Sequence, residues 1–96
     1  MARGTGRVTE PREESRDRRA SIRDVLARNT RAWREHKNLT QQQVAKACGG
    51  WDHTEISRIE RGRNVEVETL ETLARALGVT ESDLLCRKKW RPPKGE

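Results

Sequence analysis

Leu39-Thr40-Gln41-Gln42-Gln43-Val44-Ala45-Lys46-Ala47-Cys48-Gly49-Gly50-Trp51-Asp52-His53-Thr54-Glu55-Ile56-Ser57-Arg58-Ile59-Glu60-Arg61-Gly62 reads as two short helices joined by a glycine turn. Thr40 stands at an N-cap with Gln43 three residues on, the spacing of a capping box. Val44, Ala45 and Cys48 form one apolar edge, and Gly49-Gly50 stop that helix. Asp52 with Glu55 three later caps the second helix, Ile56 and Ile59 are its buried pair, and Gly62 ends it. The opposite face carries His53, Thr54, Ser57, Arg58 and Arg61. These side chains hydrogen-bond to base edges and phosphates, so the helix reads as one that enters a DNA groove.

The composition agrees with that partner. The chain has 96 residues, enough for one domain with a modest core, and a formal net charge of +6, which favours a polyanion. Only 31% of residues are apolar and Phe and Tyr are absent, so the expected core is small and helical, with polar tails. Arg far outnumbers Lys, which suits bidentate phosphate and guanine contacts but equally reflects a GC-rich genome.

The two cysteines, Cys48 and Cys86, lack a redox or metal spacing, and Cys48 sits where a small buried residue fits. Cys48 and His53 have no second ligand pair, so no metal and no cofactor are expected. Asn38-Leu39-Thr40 matches a glycosylation sequon, yet the same residues open a helix and no signal peptide is expected ahead of it. No apolar run is long enough to cross a membrane. The chain reads as a cytoplasmic protein of prokaryotic or phage origin. No nucleophile and base pair, paired-carboxylate site or phosphate loop is present, so an enzyme is not expected.

Outward from the quoted stretch, residues 1–20 hold almost no apolar side chains and cannot offset their ordering entropy. They read as a mobile arm, either simply solvated or touching DNA phosphate or the minor groove. A first helix starts at Ser21, with Asp24 three residues later, and Ile22, Val25, Leu26, Asn29 and Trp33 share one stripe. Trp33 continues that stripe, which makes it a core anchor more readily than a stacking platform. Lys37 and Asn38 end the helix on positive charge.

Beyond Gly62, a helix over Val67 to Leu77 carries Val67, Leu70, Leu73, Ala74 and Leu77 as its buried stripe, with Gly78 as its stop. Glu66 is an uncommon cap for it. Thr80 and Asp83 cap a short fifth helix that turns Leu84 and Leu85 inward. The last stretch, from Arg87 to Lys94, is basic and ends in helix-breaking Pro92-Pro93. The expected layout is thus an arm at 1–20, a helical domain at 21–86 and a basic tail at 87–96.

With Gln41, Ala45, Gly49, Ile56, Ile59-Glu60-Arg61-Gly62 and the run from Leu70 to Val79 in view, the chain from about Val25 to Leu85 resembles the lambda repressor and Cro (XRE-like) DNA-binding domains. The combination is specific, whereas a lone Ala-x-x-x-Gly is weak. The resemblance implies an all-α, five-helix fold, transcription regulation and usually dimeric binding to an inverted repeat on double-stranded DNA; a repressor is expected, although no residue distinguishes repression from activation.

Carried over by position, the resemblance makes Gln41 a phosphate contact at the start of the second helix. His53, Thr54, Ser57 and Arg58 fall on base-reading positions, and Arg61, Arg63 and Asn64 on the phosphate-contact region that follows. Arg34 and Glu60 match a pair that forms a salt bridge in several members. Each follows a buried residue, Trp33 and Ile59, so stranding one charge costs about 3–5 kcal/mol; as two solvated charges they are worth little.

The chain departs from the family pattern by one extra residue near Gly49-Gly50, so either the second helix is longer or the turn bulges. Trp51 stands where a smaller apolar residue is usual and is expected in the core. The candidate dimer surface runs from Leu84 to Trp90, with Trp90 either in that interface or packed as a loose aromatic. The tail cations Arg87, Lys88, Lys89 and Arg91 are alternatively non-specific phosphate contacts. His53 gives binding a pH dependence if its charge is used, or is an ordinary surface histidine. The rival reading is a protein-interaction module of the same fold, of antitoxin or coactivator type.

Overall fold

Five helices and no strand make up residues 20–93, the part described by the computed structural model: α1 (Ile22–His36), α2 (Gln41–Ala47), α3 (His53–Glu60), α4 (Val67–Leu77) and α5 (Glu81–Leu85). The expected N-terminal arm, apart from Ala20, and the last three residues of the tail lie outside the described residues.

Local chemistry sets most helix ends. The Ser21 hydroxyl accepts from the Asp24 N–H at 3.1 Å. Thr40 and Gln43 form a reciprocal capping box, at 3.0 and 2.8 Å, and Thr80 and Asp83 form another, both at 3.0 Å. Each such cap is worth about 1 kcal/mol. Asp52 caps α3 through the Thr54 N–H at 3.2 Å, but Glu55 does not complete a box. Its carboxylate is held instead by Arg63, at 2.7 and 2.9 Å, because a guanidinium offers a stronger, charge-assisted bond than a backbone N–H. Glu66 caps α4 by its backbone alone.

A double glycine makes the turn between α2 and α3. α2 stops at Ala47, Gly49 and Gly50 both take left-handed backbone (φ 97° and 92°), and the Trp51 N–H returns to the Ala45 carbonyl at 3.0 Å. Two consecutive left-handed residues are accessible to glycine at little cost. At the far end of α3, Gly62 has φ 98°, and a Cβ there would meet the Asp24 carboxylate at 2.9 Å. A glycine at that position therefore permits the close approach of α1.

Leu26, Val44, Ala45, Cys48, Ile56, Ile59, Leu73, Ala74, Leu77 and Leu84 form the core, with Trp33, Leu39, Trp51, Val65, Leu70 and Leu85 packed half-buried around it. α3 sits centrally, against both α1 and α2, while α5 packs on α1 and α4. Buried Asn29 ties α1 to the end of α5, donating to the carbonyls of Leu84 (2.9 Å) and Cys86 (2.8 Å).

Two expected core residues are not buried. Val67 is 78% exposed and Ile22 44% exposed. Both lie in the first turn of their helices and line a surface groove instead of entering the core, and Val67 also falls at the edge of the α4 stripe at 100° per residue.

Candidate nucleic-acid interface

With Ile56 and Ile59 buried, helical periodicity turns His53, Thr54, Ser57, Arg58 and Arg61 to the other side of α3 and its C-cap. His53, Thr54, Arg58 and Arg61 are exposed and Ser57 is half-buried. The five are loosely ordered by one another and by local acids. Arg61 donates to the Ser57 hydroxyl at 2.8 Å, which leaves that hydroxyl free to donate. Arg58 lies 3.6 Å from Glu55, and His53 Nδ1 lies 3.1 Å from Asp52. The cap bond from Thr54 is the main cause holding the Asp52 carboxyl below its ordinary range.

Below this face, α3 is fixed by a hydrogen-bonded ion pair. Arg34 donates from Nε to Glu60 at 2.6 Å and from Nη2 to its other oxygen at 3.1 Å, while Nη1 donates to the Leu39 carbonyl at 2.9 Å. The side chains are 13% and 6% exposed, so this is a nearly dry, bidentate contact. Gln41 Nε2 adds a third donor to Glu60 at 3.2 Å. The bond to Glu60 raises the Arg34 pKa further, against the effect of burial. One carboxylate thus joins the end of α1, the start of α2 and the end of α3, fixing how the polar face of α3 sits relative to Gln41.

An open depression of about 630 Å³ connects these parts, lined by Arg34, Asn38, Thr40, Gln41, Gln42 and His53 among others. Gln41 and His53 are therefore brought to one concave edge. Arg63 and Asn64 are placed differently. Arg63 bends back onto Glu55, and Asn64 lines a separate, apolar groove with Ile22, Val65 and Val67. Sequence reasoning missed the Glu55–Arg63 clasp and the two hydrogen bonds that Asn29 donates. An asparagine inside an apolar stripe was the signal for the second, since a buried amide requires partners.

An α-helical domain whose central helix is gripped from beneath and polar above defines a protein of the helix-turn-helix class. The comparison with known proteins agrees: residues 31–84 match the helix-turn-helix family, and the chain belongs to it, as a DNA-binding transcription regulator of the lambda repressor and Cro type. Control protein C.SmaI of Serratia marcescens is 39% identical over 75 residues, covering 77% of this chain and 88% of that protein. A hypothetical transcription factor of Neisseria meningitidis is 42% identical over 65 residues, or 67% of this chain and 60% of that protein, so the chain spans only part of that relative. The crystal structure of a Neisseria hypothetical transcription factor superposes with a TM-score of 0.66 at 34% identity, covering 83% of this chain and 86% of the other. The restriction-modification controller protein C.AhdI of Aeromonas hydrophila superposes with a TM-score of 0.61 at 30% identity, over 65% and 94%.

Proposed function

We propose that the chain is a sequence-specific repressor that binds an inverted repeat as a homodimer and reads each half-site in the major groove with α3. The observation that carries this reading is the exposed polar face of α3, held rigidly by Ile56 and Ile59 beneath and by the Arg34–Glu60–Gln41 contacts at its end. Arg58 reads guanine, and His53, Thr54 and Ser57 read neighbouring base edges. Gln41, Arg61, Arg63 and Asn64 meet phosphates and set the register, Arg63 with the guanidinium nitrogens that Glu55 leaves free. Binding rather than catalysis is the activity, and it is exercised on DNA in the cytoplasm of a prokaryotic cell. The similarity to C.SmaI and C.AhdI, a control protein and a controller protein, supports a controller-type role over restriction-modification genes.

A single small domain gives little specificity alone, which supports two copies on half-sites about 34 Å apart. Leu84 is fully buried and Trp90 is engaged within the chain, so the apolar surface left for a second copy is the groove between Ile22 and Val67, floored by Leu26, Leu70 and Leu85. Ile22 and Val67 are the only large apolar side chains exposed among the described residues. That patch is small, which favours a DNA-binding dimer over a module devoted to protein partners.

Binding of Arg58→Ala to a panel of single-base operator variants tests the assignment. Affinity falls by about 1–3 kcal/mol and preference relaxes at one base pair. Equal weakening on every sequence would reduce Arg58 to a phosphate contact.

A further inference from the structure

The basic stretch after α5, read from sequence as a helix-breaking tail, is fastened to α1 at both of its ends. The Cys86 carbonyl accepts from Asn29 at 2.8 Å, and Arg28 reaches the carbonyls of Cys86 and Arg87, each at 3.4 Å. Arg87 in turn donates to the Ala20 carbonyl at 2.7 Å. Four residues past Cys86, the Trp90 ring meets Trp33 edge-on, with centroids 5.5 Å apart and planes at 88°, and lies 5.4 Å from His36. Cys86 is therefore beside residues 28–29 and Trp90 beside residues 33–36. The segment runs along α1 in the same direction as the helix. It arrives where α1 ends at His36, five residues before Gln41.

We propose that residues 87–93 are a fixed basic strap that contacts DNA phosphates outside the base pairs read by α3. The inference rests on the DNA-binding reading above and extends its footprint. Lys88, Lys89 and Arg91 are exposed and have no acidic partner among the described residues. Asp83 is the acid that shares a small cavity with them, and its carboxylate is engaged by the Thr80 N–H at 3.0 Å. No acid occurs between Arg87 and Pro93. Pro92-Pro93 keeps the exit extended. Cations on a segment already docked lose little entropy on meeting a phosphate, whereas a free tail loses more. Trp90 is thus a positioning residue, and the three cations are the contacts.

The full-length chain separates this arrangement from a free basic tail. Salt dependence of binding is measured on two duplexes, one cut flush with the half-sites and one with long flanks. Each phosphate contact contributes roughly 0.9 to the slope of log affinity against log salt. The triple variant Lys88→Ala, Lys89→Ala, Arg91→Ala is expected to lower that slope by about 2–3 on the flanked duplex only, with base preference unchanged. Trp90→Ala, which keeps every charge, is expected to lose most of the same increment, and Trp90→Phe to restore it. An unchanged slope in the triple variant, or an equal loss on both duplexes, would overturn the strap. Failure of the wild-type chain to bind either duplex would overturn the DNA-binding reading itself. Matching thermal melts of the triple variant and wild type exclude unfolding as the cause, since all three side chains are exposed.

Discussion

Glu60 is a single carboxylate on which three elements depend. It accepts from Arg34 twice and from Gln41 once while being almost wholly out of water. Removing it strands a guanidinium and an amide donor, so Glu60→Ala is expected to cost about 3–5 kcal/mol, read by chemical denaturation. An apolar exchange of both partners, Arg34→Met with Glu60→Leu, should recover much of that loss, because the cost lies in the stranded charge rather than in a lost attraction. Cys48 gives a second expectation at this scale. Burial pushes its thiol up to about 11 from an ordinary value of 9.0. A folded-state pKa raised above the unfolded one leaves stability complete below about pH 9. That contribution is lost as pH rises from 9 towards 11, since only the unfolded thiol ionises there. Denaturation midpoints across that window, compared with Cys48→Ala, should show the wild type losing stability more steeply. At pH 8 a thiol reagent should label exposed Cys86 and spare Cys48 until the chain unfolds.

At the scale of the element, the glycine turn sets the angle at which α3 leaves α2. Space is not the constraint there, since a Cβ on Gly49 or Gly50 would meet nothing within 4 Å. The constraint is backbone conformation, so Gly49→Ala and Gly50→Ala are each expected to destabilise by about 1–2 kcal/mol, measured by thermal melting. Asparagine should be better tolerated than alanine at either position. Much of this level was legible in the sequence. Thr40–Gln43 and Thr80–Asp83 announce two capping boxes by spacing alone, and the glycines mark three helix ends. What escaped depended on tertiary context. Periodicity assigns Val67 to a buried stripe, but a helix's first turn protrudes beyond the core whatever its residue. Asp52 and Glu55 have capping-box spacing, but the sequence does not show that Arg63 will return to claim Glu55.

For the whole molecule, two features join residues far apart in the chain. Trp33 and Trp90 meet although they stand 57 residues apart in the chain, and no local pattern predicts that contact; composition reveals only a basic tail. The groove between Ile22 and Val67 likewise exists only once the fold brings residues of α1, α4 and α5 around it. If a second copy covers it, Val67→Glu should shift the chain to monomer in sedimentation and reduce operator affinity, while leaving the melt of the isolated fold unchanged. An unchanged dimer would place the interface elsewhere. The site residues were legible as helix positions because helical periodicity separates Ile56 and Ile59 from Arg58 and its neighbours. Which bases they prefer depends on groove geometry that no spacing encodes. The most direct measurement is selection of bound sequences from random duplex DNA at two salt concentrations. A dimer that reads each half-site with α3 is expected to recover an inverted repeat with guanine at a fixed place in each half-site, at both concentrations. Binding with no motif, fading steeply with salt, would contradict it and leave a basic protein that coats DNA.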